Sequence, residues 1–230
     1  MLSAIAIVPS APVLVPELAG AAAAEVADLT AAVMAAAAVL PPRWVAVGAG
    51  RADEVVDSDA VGTFAGFGVD LRVRLSERGD GPPLPAVLPL CALMAAWIRG
   101  QAKSAATAQV RVYAADHDAD AAVRRGRGLR AEVDAVSDPI GVLVVADGVN
   151  TLTPRAPGGF DPSGAGAQLA LYDALATGDV PALAQLPSSV RGRVAFQVLA
   201  GLSRAGPRMA KELYRGAPYG VGYFVGVWQL

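Results

Sequence analysis

The chain has 230 residues and a mass of 23.3 kDa, with a formal net charge of −2 and a pI near 5.4, a balance that argues against a broad phosphate-binding surface, so that no nucleic-acid partner is expected. Apolar residues make up 54%, but 49 residues are alanine, and without them the apolar share falls to about a third, ordinary for a globular chain. The single cysteine, Cys91, excludes an intramolecular disulfide and makes a reducing compartment, the cytoplasm, the default; the single histidine, His117, excludes any mononuclear site needing two histidines from one chain.

In chain order, Leu2–Val8 is a short apolar run ending at Pro9, the pattern of a buried strand. Its prolines and its lack of a leading basic residue make Met1–Gly20 a poor signal peptide. A proline-rich loop, Pro9–Pro16, leads into a helix predicted over Leu18–Leu40. That stretch is long enough to span a bilayer, but it carries Glu25 and Asp28, each costing about 2.5–3.5 kcal/mol at mid-span, so no membrane association is expected. Pro41-Pro42 stops the helix, and Trp44–Val47 forms a second buried strand running into Gly48-Ala49-Gly50. Val69–Leu75 alternates apolar and charged residues and reads as a half-wet strand near an edge. After a Gly/Pro-rich loop, Arg78–Pro85, come a buried helix at Leu90–Arg99 and a strand at Gln109–Ala114.

Asp118–Val136 reads as an amphipathic helix with a cationic stretch from Arg124 to Arg130, and Ile140–Ala146 as the clearest buried strand. The long loop Asp147–Pro162 precedes two helices, Ser163–Thr177 and Val190–Ser203, and a terminal hairpin of Met209–Tyr214 and Tyr219–Trp228 around Arg215–Pro218. Buried strands alternating with helices predict an α/β fold in one domain, residues 1–230: a three-layer αβα sandwich with a mostly parallel central sheet and a C-terminal β-hairpin. The strands ending at Val8, Val47, Ala114 and Ala146 belong in one sheet, with their C-terminal ends on a common edge. The tail Tyr219–Trp228 is apolar at nearly every position, and as an edge strand it would favour a homodimer.

Ligands of open α/β sheets bind beyond the C-terminal strand ends, which directs attention to Ser10, Gly48-Ala49-Gly50, Asp116-His117-Asp118 and Asp147–Thr151. His117, with Asp116 and Asp118 beside it, reads either as a ligand or general base, or as a solvated residue at a helix start capped by one of the aspartates. Asp147 reads as a working carboxylate, or as a turn residue bonding the amides of Asp147-Gly148. Gly48-x-Gly50 lacks the third glycine of a dinucleotide fingerprint and fits a tight turn. Ser10 has no nucleophile elbow around it, and Cys91 lies in an apolar helix as a small hydrophobe. The arginines at 124, 125, 127 and 130 form a solvated helix face or an anion site.

Several segments together resemble the class III extradiol ring-cleavage dioxygenases, the LigB-like family, and the related Memo-like proteins. Ile7-Val8-Pro9-Ser10-Ala11-Pro12 followed by Val13–Glu17 is similar to the family's opening strand and Pro-His-x-Pro turn. Trp44–Gly50 resembles its second strand, Val142–Leu152 with Gly158–Pro162 its late strand and turn, and Ala217–Tyr223 its last strand. The resemblance implies an αβα fold and an iron(II) site of two histidines and a carboxylate. This chain departs from that pattern where it matters: Ser10 stands at the first histidine position, Gly48-Ala49-Gly50-Arg51 follows the second strand, and Gly148-Val149-Asn150-Thr151 occupies the late turn.

The expectation is therefore a relative that has lost the iron site and carries no metal, binding a small polar ligand or a protein partner in the strand-end crevice. Asp147 and His117 are the candidate reactive groups, and Ser10, Gly48, Gly50, Asp116, Asn150 and Thr151 the candidate pocket. The alternatives are an enzyme using the carboxylates Asp147 and Asp116, with a divalent ion or none, and a dioxygenase with an atypical site.

Overall fold

The computed structural model describes residues 1–77 and 87–230; the predicted loop Arg78–Pro85 lies outside the described residues. Nine strands are described: β1 (Leu2–Val8), β2 (Arg43–Gly50), β3 (Glu54–Val56), β4 (Val61–Thr63), β5 (Arg72–Arg74), β6 (Thr107–Ala114), β7 (Ile140–Val145), β8 (Met209–Gly216) and β9 (Tyr223–Gln229). The helices are α1 (Pro16–Ala19), α2 (Ala27–Ala38), α3 (Leu90–Ala102), α4 (Ala119–Asp134), α5 (Gly164–Thr177), α6 (Val180–Ala184) and α7 (Arg193–Ser203), with short 3₁₀ turns between some of them.

Seven strands form one sheet in the order β3-β6-β2-β7-β1-β9-β8. The central four, β6, β2, β7 and β1, run parallel, so the strands predicted to end at Val8, Val47, Ala114 and Ala146 do share one sheet and one C-terminal edge. β3 pairs antiparallel with β6, β9 antiparallel with β1, and β8 antiparallel with β9. The residues of β1 explain why both faces are covered: Ala4, Ala6 and Val8 pack toward α2 and α3, while Leu2, Ile5 and Ile7 pack toward α4, α5 and α7. Small alanines on one face and branched side chains on the other produce two apolar cores, one on either side of a single sheet. The fold is the αβα sandwich with a C-terminal hairpin.

α4 and α7 cross in very close contact, because each offers a glycine at the crossing. A Cβ at Gly126 would lie 2.0 Å from the Val198 carbonyl oxygen, and one at Gly201 would lie 2.1 Å from that of Val123. No other residue permits backbones to approach so closely.

Three expectations are corrected. The helix predicted over Leu18–Leu40 is α1, a 3₁₀ stretch Gly20–Val26, and α2, because Gly20 takes φ +55° and caps α1, while the following alanines supply little packing to keep one axis. Pro16–Ala38 is long and apolar enough to cross a membrane, with mean hydropathy 1.5, yet α2 lays Leu29, Val33, Ala36 and Ala37 into the core. The alternating segment Val69–Leu75 gives only the three residues of β5, paired with β4 in a separate two-stranded ribbon. Buried Arg99 ties that ribbon down, donating to the carbonyls of Arg74 at 2.9 Å and Ala106 at 3.0 Å.

The third correction concerns the tail. β9 is an interior strand between β1 and β8, and the edge is β8, whose sequence MAKELYRG is polar and partly exposed. Tyr223, Val225 and Val227 enter one core and Phe224 and Trp228 the other, so β9 needs neighbours on both sides and offers no free apolar edge. A homodimer built by pairing a second copy on Tyr219–Trp228 is therefore not available to this fold.

Candidate functional site

One residue from the end of each parallel strand meets at a cavity of about 660 Å³: Ser10 after β1, Gly50 closing β2, Ala115 after β6 and Asp147 after β7. The arrangement follows from parallel pairing, which puts four C-terminal ends on one edge and leaves a crevice where the connections diverge. Ser10 and Asp147 touch directly, the Ser10 amide donating to Asp147 Oδ1 at 2.8 Å. The carboxylate therefore ties β1 to β7, and does not bond the amides of its own turn as the turn reading held. Gly148 is held elsewhere, donating its amide to the Gly222 carbonyl at 2.8 Å.

Asp147 is part-buried and lines the cavity. Burial pushes its carboxyl up to about 6, opposed in part by the Ser10 N–H and the positive charge of Arg191. A carboxyl with that value changes charge near neutral pH, the property expected of a working group in a cleft. Gly192, at the start of α7, supports it from behind: its amide donates to the Asp147 carbonyl at 2.8 Å, and a Cβ there would lie 2.7 Å from the same oxygen. The remaining lining combines apolar Leu88, Leu90 and Val145 with the exposed charged residues Arg51, Glu54 and Arg191.

The other candidates stand apart from this cavity. Gly48 faces α3, where a Cβ would lie 2.3 Å from that of Cys91, so it is a packing position and not a pocket residue. Cys91 is buried, its thiol pushed up to about 12 by burial, and it behaves as a small hydrophobe. Asn150 and Thr151 belong to a loop folded on itself: the Asn150 carbonyl accepts from the Gly158 amide at 3.0 Å and the Thr151 carbonyl from Asp161 at 3.0 Å. Neither lines the cavity. Asp116 is exposed and also outside it, so it does not join Asp147 in a carboxylate pair.

His117 lies in the turn between β6 and α4, half-buried, in a cluster the sequence did not anticipate. Its Nε2 lies 2.7 Å from Asp53 Oδ1 and 2.9 Å from Arg125 Nε, and Arg125 closes the group with a 2.5 Å contact to Asp53 Oδ2. Burial raises the Asp53 carboxyl, but the Ala114 amide, His117 and Arg125 together outweigh it and hold the group below its ordinary value. Asp118 caps α4, accepting from the Ala121 amide at 2.6 Å, as the capping alternative required. The arginine run disperses: Arg125 pairs with Asp53, Arg130 pairs with Asp134 at 2.7 Å, and Arg124 lines an open groove of about 610 Å³ beside β3 and β6.

An iron(II) centre does not fit these residues. Ser10 turns its backbone N–H to Asp147, the Cβ position at Gly48 is filled by Cys91, and Asn150 packs against Gly158. Among the described residues no three His, Cys, Asp or Glu side chains gather as a ligand set. Sequence reasoning missed Glu54 and Arg191 at the cavity rim, since neither lies in a recognisable motif. The one available signal was Arg191-Gly192, a cation followed by glycine just ahead of a helix.

No family model matches the chain, and no curated protein matches it. Among solved structures it is similar to an uncharacterized protein, JW3007, from Escherichia coli K12, with a TM-score of 0.56 and 10% identity over 98% of this chain and 99% of that one. At that identity the likeness concerns the fold alone, and it extends across essentially the whole of both chains.

Proposed function

We propose that the chain is a metal-free relative of the class III extradiol dioxygenases whose strand-end cavity binds a small polar ligand, with Asp147 as the central recognition group. The observation that supports this reading is the contact of Ser10 with Asp147 at the floor of a cavity lined by the ends of four parallel strands. A carboxyl raised by burial lowers the stability of the fold when it ionises, and such a group is retained where binding or chemistry uses it. A half-open crevice of this volume suits a small molecule better than a protein partner, whose contact surface is flatter and larger. The single thiol, buried and unpaired, is consistent with residence in a reducing compartment such as the cytoplasm.

Carboxylate chemistry on Asp147 with Asp116 is less well supported, because the second carboxylate lies outside the cavity. The test is elemental analysis of the purified protein after anaerobic incubation with iron(II), manganese(II) and zinc(II). Sub-stoichiometric metal in every case is the expected result. Stoichiometric metal that disappears in Asp147→Asn would overturn the metal-free reading.

A further inference from the structure

The cavity has a mixed lining. Leu88, Leu90 and Val145 give it apolar surface, and Arg51 and Arg191 line it as exposed cations. Half of the described arginines are engaged through their side chains, among them Arg111 with Glu132, Arg125 with Asp53, Arg130 with Asp134, and Arg193 with the His117 carbonyl. Arg51 and Arg191 belong to the other half, with no ion pair and no side-chain hydrogen bond among the described residues, and they are the two arginines that line this cavity. Arg191 is close enough for its charge to act on Asp147. At the floor, Asp147 Oδ1 is used by Ser10, and no described group is bonded to Oδ2.

Resting on the ligand-binding reading above, we propose that the cavity recognises a small organic monocarboxylate with an apolar body, its carboxylate held by Arg51 and Arg191. The apolar body lies along Leu88, Leu90 and Val145, and Asp147 is free to take a hydrogen-bonding group of the ligand through Oδ2. Arginine suits this role because its planar fork matches a carboxylate and is weakly hydrated. Inorganic phosphate fits less well. It leaves the apolar wall uncovered, and Asp147 and Glu54 at the same cavity balance the two arginines and oppose a second negative charge.

The test is a methyl-resolved NMR titration of the full chain with hexanoate, with its neutral isostere hexanamide, and with inorganic phosphate. Hexanoate is expected to shift the methyls of Leu88, Leu90 and Val145 saturably. Losing one charge-assisted contact in Arg51→Gln or Arg191→Gln weakens it about tenfold, and hexanamide binds about tenfold more weakly to the unaltered protein. Both arginines are exposed, so the variants keep the native spectrum elsewhere. Equal binding of hexanoate and hexanamide, or no effect of either substitution, overturns the carboxylate inference while the small-ligand reading stands. Phosphate binding as tightly as hexanoate also overturns it. No saturable shift with any of the three probes overturns both.

Discussion

Ser10 and Asp147 lie 137 positions apart in sequence, yet the amide of the first donates to the carboxylate of the second at 2.8 Å across the ends of two adjacent parallel strands. The bond is favourable, but the burial that accompanies it is not: the carboxyl is raised from 3.8 to about 6. Between those values the folded chain holds a proton that the unfolded chain has released, so this group's contribution to stability falls as pH rises from about 4 through about 6. Above that range the loss is complete and amounts to at most about 3 kcal/mol. Asp147→Asn retains an oxygen acceptor for Ser10 and removes the charge. Its melting temperature should exceed that of the parent at pH 7.5 and match it at pH 4. A lower value at both would show that the carboxylate serves the strand tie alone.

Gly48 and Cys91 make a second testable contact. Gly48→Ala should destabilise by about 1–3 kcal/mol, because the new methyl meets Cys91 and neither β2 nor α3 can yield without disturbing the core. Denaturant unfolding gives the value. In the native protein Cys91 should resist thiol reagents at pH 8 and react only on unfolding, since its thiol lies near 12. Rapid labelling without denaturant would contradict its burial.

At the start of α4, Asp118→Ala should cost about 1 kcal/mol through loss of the cap on Ala121. His117→Asn should change stability by less than about 1 kcal/mol, as expected for a solvent-screened pair, and leave ligand titrations at the strand-end cavity unaltered. A large loss of binding in His117→Asn would place that histidine in the site after all.

The crossing of α4 on α7 yields the last expectation. Gly126→Ala sets a methyl against the Val198 carbonyl and should cost about 2–3 kcal/mol, read from the urea midpoint. Gly128→Ala, two positions along the same helix, meets nothing within 4 Å and should be neutral or slightly stabilising, because alanine is the better helix former. Equal effects at the two positions would refute close packing of the two backbones.

Much of the architecture was legible locally. Leu2–Val8 is a strand at the bounds its apolar run suggests, β7 ends one residue short of the predicted Ala146, and Asp118 caps the helix that follows it, because burial on both faces and capping are written into adjacent residues. The C-terminal strand-end rule then brought Ser10, Gly50 and Asp147 to one cavity from three separate segments. Other features depend on what the chain packs against. β9 lies inside the sheet because β8 covers its outer edge, and no property of Tyr219–Trp228 states that. Gly48 faces Cys91, though it lies two residues from Gly50 on the same strand, since only the packing of α3 decides what fills the space over it. The charge environment of Asp147 was equally hidden: Arg191 reaches it from a segment 44 positions later in the sequence, brought there by Gly192 docking on the Asp147 carbonyl. The sequence by itself determined the elements, their order and the shortage of imidazole. Which side chains share the cavity, and how far burial raises the one carboxyl at its floor, was decided by tertiary structure, because long-range packing sets proximity and desolvation.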